Sequence, residues 1–335
     1  MSDIIILAIE SSCDDTGAAV VANGNILANV VASQSIHEKW GGVVPELASR
    51  AHMQHIVPVV HEALQIAEID KKNLSAVALT AGPGLIGSLL VGATFAKSFA
   101  LALDIPLISV NHLQAHVMAL LIDEPKPSFP FLCLLVSGGH TQLIVVKAPL
   151  EFEIIGQTTD DAAGEAFDKT AKILGLTYPG GPLLDKLAQQ GNHTIHKFPK
   201  PQIAELDFSF SGFKTSVLYY IEKQKKLNPD FVAENINDLC AAIQYTIVET
   251  LTDKVLKAIE QTGITQVAIA GGVAANSGLR LKLQLLSQQK GFDLYIPAFQ
   301  YCTDNAAMIA ITAHYQYMKN DFADQSLAPY PRVSV

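Results

Sequence analysis

A chain of 335 residues is more than one ordinary core needs, so two lobes or one large doubly layered domain are expected. Apolar residues at 49% and charged ones at 16% exclude a disordered chain. The net charge of −9 excludes a general nucleic-acid coat, yet leaves room for a local basic patch that docks one RNA.

The opening MSDIIILAIE has no basic leader, and its apolar run stops at Glu10; this predicts a first β-strand and not a signal peptide. SSCDDTGAAVVANGNILANVVA then reads as an acidic turn, a strand, a turn at ANGN and a third strand. A helix follows from Pro45, a residue suited to the first helical position. SAVALT is a buried strand that runs into AGPGLIGSLL and a helix to about Leu103. PLISV is the next strand and NHLQAHVMALL the next helix, with Asn111 suited to its N-cap. The longest charge-free stretch, Asn73 to Ala96, holds AGPG at its middle. Such a break would leave backbone groups unpaired in a bilayer, so no membrane span is expected.

The second half repeats the pattern. FLCLLVSGGHTQLIVV is strand, glycine turn, strand, and FEIIGQT adds a third. Helices are expected at AAGEAFDKTAKIL and GPLLDKLAQQ. After a loop-rich stretch from His193 to Phe213 come helices near Lys214 to Lys226 and from Phe231 to Thr262. QVAIAGGVAANSGLRLKLQLL gives strand, Gly-Gly turn and helix; DLYIP is a last strand and CTDNAAMIAITAHYQYM opens a last helix. Hairpins in equivalent places, at Ile4 and at Phe131, point to an internal duplication. The prolines of DEPKPSFP, Asp123 to Pro130, mark a linker between lobes. Helices between strands imply an α/β architecture of mixed sheets covered by helices, with ligands at strand ends.

His112 and His116 lie four residues apart on one helix face, where two imidazoles either share an ion or simply pack. A zincin would carry a glutamate after the first histidine; Leu113 and Gln114 stand there, which disfavours a metalloprotease. Asp304, just before the last helix, is either its N-cap or a third ligand. As a ligand it completes a two-histidine, one-carboxylate set with open positions, a pattern associated with ferrous iron.

The glycine turns LVSGGHTQ and AGGVAANSG each follow an apolar strand, where backbone N–H groups can approach an anion closely. The second opens a helix whose N-terminus favours phosphate. With AGPG and YPGGP they point to a nucleotide-like ligand, and the absence of GxxxxGK[ST] excludes a P-loop enzyme. Glu10, Asp14 and Asp15 form an acidic turn that either lies at the surface or serves a metal or a proton transfer. Glu165, Asp168 and Lys169 share a helix that is either a solvated face or, through Asp168, a ribose contact. Asn276 is either an N-cap or a nucleotide contact, and His52, His55 and His61 read as surface or capping residues. No G-x-S-x-G elbow exists, and Cys13 sits among acids that blunt a thiol, so covalent catalysis is not expected. Four scattered cysteines without a CxxC pair suit a reduced, cytoplasmic protein.

ESSCDDT, GGVVPELASRAH, TAGPGLIGSLLVG, HLQAH, LVSGGHTQL, DDAAGEAFDKTAKILGL, YPGGP, FSFSGFKT, AGGVAAN and CTDNAAMIA occur in this order. Together they resemble the bacterial tRNA N6-adenosine threonylcarbamoyltransferase family, TsaD, over essentially the whole chain. The resemblance implies the actin, sugar-kinase and Hsp70 superfamily: a duplicated two-lobe fold, with residues 1–128 plus about 310–335 in one lobe, 129–309 in the other and a ligand cleft between. It implies transfer of the threonylcarbamoyl group from threonylcarbamoyl-AMP to N6 of the adenosine at tRNA position 37, in tRNAs reading codons that begin with A.

By motif, the same resemblance makes His112, His116 and Asp304 ligands of one Fe(2+) per subunit, a set that also takes Zn(2+). Leu135, Val136, Ser137, Gly138, Gly139, Asp168, Gly181, Asp185 and Asn276 would hold the acyl-adenylate. Asp15 stands where glutamate is common. Asp14 is our own candidate for the base that takes the N6 proton. Relatives work with the paralogue TsaB and the ATPase TsaE, and tRNA contacts are expected from HTIHKFPKP and EKQKK. The rival readings are a metal-dependent glycoprotease and an ATP-dependent, chaperone-like binding module.

Overall fold

The computed structural model describes residues 3–34, 37 and 40–332. They form two compact units, Met1–Lys126 with Ala298–Val335, and Pro127–Pro297.

The first unit is built on a five-stranded sheet in the order β3-β2-β1-β4-β5. Its strands are β1 (Ile5–Glu10), β2 (Thr16–Ala22), β3 (Asn25–Ala32), β4 (Ala76–Gly82) and β5 (Leu107–Asn111). β1 pairs antiparallel with β2 and parallel with β4, and β4 pairs parallel with β5. Successive side chains of a strand face opposite ways, and here both ways lead into a core. Ile6 and Ala8 pack with Ala306, Ile309, Ala310 and Ala313. Leu7 and Ile9 pack with Ile56, Val59, Val60, Ala93 and Ala96. The near-continuous apolar runs that marked these strands follow from this double burial. The helices concerned are α1 (Pro45–Ile66), α2 (Ile86–Leu103) and α9 (Ala306–Met318), and a shorter α3 (His112–Met118) follows β5. By length and composition α2 would suit a membrane, but its Leu89, Ala93, Ala96 and Ala100 are buried in this unit.

The second unit repeats the plan. Its strands are β6 (Phe131–Val136), β7 (Thr141–Ala148), β8 (Glu151–Gln157), β9 (Gln266–Ala270) and β10 (Asp293–Tyr295), in the order β10-β9-β6-β7-β8. Reading β6 to β10 for β1 to β5 reproduces the first order, and β6 is antiparallel to β7 and parallel to β9. The duplication suspected from the two hairpins is therefore present in the topology. The turn after β1 and the turn after β6 are counterparts. Two α/β units, each a mixed sheet flanked by helices, are the fold class expected.

The helices of this unit are α4 (Ala163–Ile173), α5 (Gly180–Ala188), α6 (Ser211–Leu227), α7 (Phe231–Thr262) and α8 (Ser277–Lys290). α6 begins at Ser211 and not near Lys214. Asp160 accepts the N–H groups of Phe210 and Ser211 and the hydroxyls of Ser209 and Ser211, which caps the helix early.

The chain leaves the first unit between Lys126 and Pro127, inside the proline-rich stretch, and returns at Ala298, earlier than the expected position near 310. The reason is packing: Tyr301 already joins the core cluster of Ile6, Ala8 and Ile108. Asp304 thus belongs to the first unit, not to the second as the expected boundary would place it.

Candidate metal centre

Strands β1, β4 and β5 run parallel, so their C-terminal ends share one edge of the sheet, the place where α/β folds hold ligands. Glu10 is the last residue of β1, and His112 follows directly on β5. Asn111 caps α3 by accepting the N–H groups of Leu113 and Gln114 at 2.9 and 3.1 Å. One helical turn then sets the His112 and His116 rings edge to face, with centroids 4.7 Å apart.

Asp304 had two readings, and its neighbour decides between them. The cap of α9 is Asn305, whose side chain accepts the N–H of Met308 at 3.0 Å. Asp304 is left to face the imidazoles: its Oδ1 lies 3.4 Å from His112 Nε2 and 3.3 Å from His116 Nε2. One ligand atom from each of the three residues lies within 4.8 Å of the others. His116 is buried while Asp304 is partly exposed, so the group is open on one side. Two imidazole nitrogens and a carboxylate oxygen are a donor set suited to a divalent first-row ion.

Glu10, grouped in the sequence with the acidic turn, instead ends β1 and meets His112, a link the sequence did not assign. Fully buried, it accepts hydrogen bonds from Ser12 N–H, from Thr80 Oγ1 at 2.6 Å and from His112 Nδ1 at 3.2 Å. Ser12 Oγ stands 3.1 Å from the same nitrogen. A carboxylate can only accept, so Nδ1 carries a proton toward Glu10, and in the metal-free imidazolium Nε2 carries a second one toward Asp304, the proton an ion would displace. Burial alone would disfavour charge here, but the opposite charges outweigh it. The His112 imidazolium holds Asp304 and Glu10 below the usual carboxylate range. In return, Asp304 and Glu10 overcome the burial of His112 and push it up to about 10. The available signal was topological: an acid ending one strand and a histidine following another, with both strands parallel to a third.

The acidic turn borders this group. Cys13 O accepts from Ser88 Oγ and from His52 Nε2, each at 3.0 Å, and Thr16 Oγ1 lies 2.8 Å from His52 Nδ1. His52 has no exposed surface, which corrects its reading as a surface residue: it fills the space between α1 and the turn and satisfies both. Burial lowers its affinity for a proton, so it stays neutral. His55 is half-buried and His61 exposed. Asp14 is half-buried in the turn. Burial pushes Asp15 up to about 6, with Asp14, Asp304 and Glu10 adding to the shift. Burial, and then the charge of Asp14, also raises the Cys13 thiol, which leaves it no nucleophile.

In the second unit, Leu135 and Val136 end β6 as buried strand residues, and Ser137 starts a closed turn. Ser137 N–H donates to His140 O at 2.8 Å, and His140 N–H donates to Ser137 Oγ at 3.2 Å. The amides of Gly138 and Gly139 have no partner among the described residues, and a Cβ on either would meet nothing within 4 Å. The fold itself does not demand glycine there. Gly271 differs, with φ +87° and Val136 O at 2.5 Å from a Cβ position.

Asp168 accepts the N–H of Gly181 at 2.9 Å, and burial raises its pKa. Asp185 accepts from Ser277 N–H at 3.1 Å and Ser277 Oγ at 2.7 Å. Asn276 caps α8 through Leu279 N–H at 2.9 Å and donates to Gln244 Oε1 at 2.8 Å. The start of α8, expected to favour phosphate, therefore already holds a carboxylate. Nor is AGPG a ligand cradle: a Cβ on Gly82 would lie 2.1 Å from Tyr330 O, and one on Gly84 2.4 Å from Ser12 O. Glu165 and Lys169 form a surface ion pair at 2.7 Å, with Asp161 beside them.

Residues 25–311 match the family described as TsaD: tRNA N6-adenosine threonylcarbamoyltransferase. The chain is 60% identical over 337 residues to the tRNA N6-adenosine threonylcarbamoyltransferase of Christiangramia forsetii, covering 99% of each. Among solved structures it is similar to component A of (R)-2-hydroxyglutaryl-CoA dehydratase from Acidaminococcus fermentans. There the TM-score is 0.53 at 18% identity, over 94% of this chain and 98% of that one. It is also similar to full-length HypF in a phosphate- and nucleotide-bound form, with TM-score 0.64 at 14% identity, over 96% of this chain and 47% of that one. At such identities the two structures support the fold alone.

Proposed function

The chain belongs to the TsaD family of tRNA N6-adenosine threonylcarbamoyltransferases, and we propose how its residues carry that transfer out. It is an acyltransferase acting on tRNA. The donor is threonylcarbamoyl-AMP, and the acceptor is the N6 amine of the adenosine at position 37 in tRNAs reading codons that begin with A. The observation that carries the mechanism is the convergence of His112, His116 and Asp304, with Glu10 fixing the first imidazole from behind.

In the donor, the carbamoyl carbon is already activated by its phosphate leaving group, so no enzyme nucleophile is needed. N6 attacks that carbon, the new C–N bond forms, the C–O bond to phosphate breaks, and AMP departs. Catalysis then reduces to positioning and to stabilising charge. The free amides of Gly138 and Gly139, with Leu135, Val136 and Ser137 behind them, receive the phosphate. The second oxygen of Asp168, beside Gly181, receives a ribose hydroxyl, and Asp185 and Asn276 frame the nucleoside around the start of α8. Asp14 takes the proton that N6 gives up. His112, His116 and Asp304 would hold a divalent ion, Fe(2+) at one per subunit or Zn(2+) on the same donors, which would supply Lewis-acid polarisation when bound.

The reaction is placed in the cytoplasm, with TsaB and TsaE as protein partners and no membrane involved. Nucleoside analysis of tRNA from a strain depleted of this protein tests the reading. Loss of the threonylcarbamoyl base supports it, and unchanged tRNA overturns it. Elemental analysis of protein purified without oxygen separates iron from zinc.

A further inference from the structure

The segment that follows α9 runs back across the first unit and ends against the metal helix. Ala323 N–H donates to Leu107 O at 2.8 Å, an antiparallel bridge on β5, the edge strand of the sheet. Lys97 of α2 donates to Leu327 O at 2.9 Å. Tyr330 N–H then donates to Ala81 O at 2.9 Å, and Gly84 N–H to Pro331 O at 3.3 Å. AGPG owes its glycines partly to this segment, since Tyr330 occupies the space a side chain on Gly82 would need. Finally, the Tyr330 hydroxyl accepts a hydrogen bond from Asn111 Nδ2 at 3.1 Å.

Asn111 is the cap of α3, so its amide is held at both ends: its oxygen by Leu113 and Gln114, its nitrogen by Tyr330. A helix of seven residues has little stability of its own, because nucleation costs more than so few hydrogen bonds return. The spacing of the two imidazoles on it therefore depends on the cap, and the cap on what restrains it. We propose that residues 323–332 act as a strap, and that Tyr330 is a positioning residue that holds His112 and His116 in ligating register through Asn111. The proposal rests on those two histidines being metal ligands.

The test uses the full chain, metal-free and then titrated with Zn(2+) against a chelator, with Tyr330→Phe as the variant. Losing one neutral hydrogen bond behind the ligands lowers Zn(2+) affinity about threefold to tenfold. It also speeds hydrogen exchange at the Leu113 and Gln114 amides, with the melting temperature of the metal-free protein nearly unchanged. A merely structural tyrosine would shift the melt and leave the affinity alone. Lys97→Ala, which loosens the strap at Leu327 without touching the Asn111–Tyr330 hydrogen bond, moves both readouts the same way. Wild-type affinity and wild-type exchange in Tyr330→Phe overturn the strap. If the wild type itself binds no Zn(2+), the metal reading fails, and exchange at Leu113 and Gln114 still decides the strap.

Discussion

Glu10 Oε2 lies 3.2 Å from His112 Nδ1, while Asp304 Oδ1 faces the other nitrogen of the same ring at 3.4 Å. The imidazole is thus oriented from behind by a carboxylate that is itself fully satisfied. Glu10→Gln keeps the size but turns an NH2 toward a donor, so one of the three hydrogen bonds is lost. We expect metal affinity to fall about 10- to 100-fold, the usual cost of removing such a support. Chelator competition on the folded variant reads this directly. An unchanged affinity would falsify the orienting role.

Asp304 and Asn305 are neighbours with separable duties. Asp304→Asn should abolish tight metal binding and transfer, and should also lower the melting temperature of the metal-free protein near neutral pH, because the charge facing the His112 imidazolium is removed. Asn305→Ala should cost about 1 kcal/mol of stability through the lost cap while metal is retained. Metal analysis therefore separates the two variants. Tight metal binding by Asp304→Asn would mean that Asp304 is only structural.

Metal binding should release a proton. In the metal-free protein, despite its burial, His112 is raised to about 10 by Asp304 and Glu10, so it is charged at neutral pH and an ion must displace its proton. Apparent affinity should rise about tenfold per pH unit above neutrality and level off near pH 10. Calorimetry at pH 8 in buffers of different ionisation heat should count about one proton per ion. The folded pKa lies above the unfolded value of about 6.5. The attraction therefore stabilises the metal-free fold fully below about pH 6.5 and is lost as pH climbs through 10. No proton release at pH 8 would remove this account.

Two glycines should respond oppositely to a methyl group. Gly139→Ala has open space and should fold as the wild type does, with donor binding weakened at least tenfold, because the Cβ enters the space given to the phosphate. Gly271→Ala should lose stability, since φ is +87° and Val136 O is 2.5 Å from the added carbon. Melting curves and binding of AMP as the probe distinguish the two. Normal AMP binding by Gly139→Ala would detach this turn from the donor.

What was legible in the sequence is what neighbouring residues settle. Asn111 precedes a mostly apolar run, Pro45 opens a helix, and four-residue spacing puts two imidazoles on one face. Asp304 and Asn305 both make good caps, and no local rule chooses between them; only the chain path before α9 does. Glu10 could not be assigned to His112, because the link needs β4 between β1 and β5 with all three parallel. His52 was misread because its two partners, Cys13 O and Thr16 Oγ1, lie in a turn packed against α1 that no helical periodicity reveals. The start of α8 looked vacant because Asp185, on a different helix, leaves no local trace there.

One strand plan builds both sheets, so the chain carries the same hairpin corner twice, and the two corners present opposite polarity. The first corner gathers the carboxylates of Glu10, Asp14 and Asp15; the second presents the bare amides of Gly138 and Gly139. One strand template thus carries two electrostatically unlike corners, acceptors at one and donors at the other, with the difference lying in the corner residues alone.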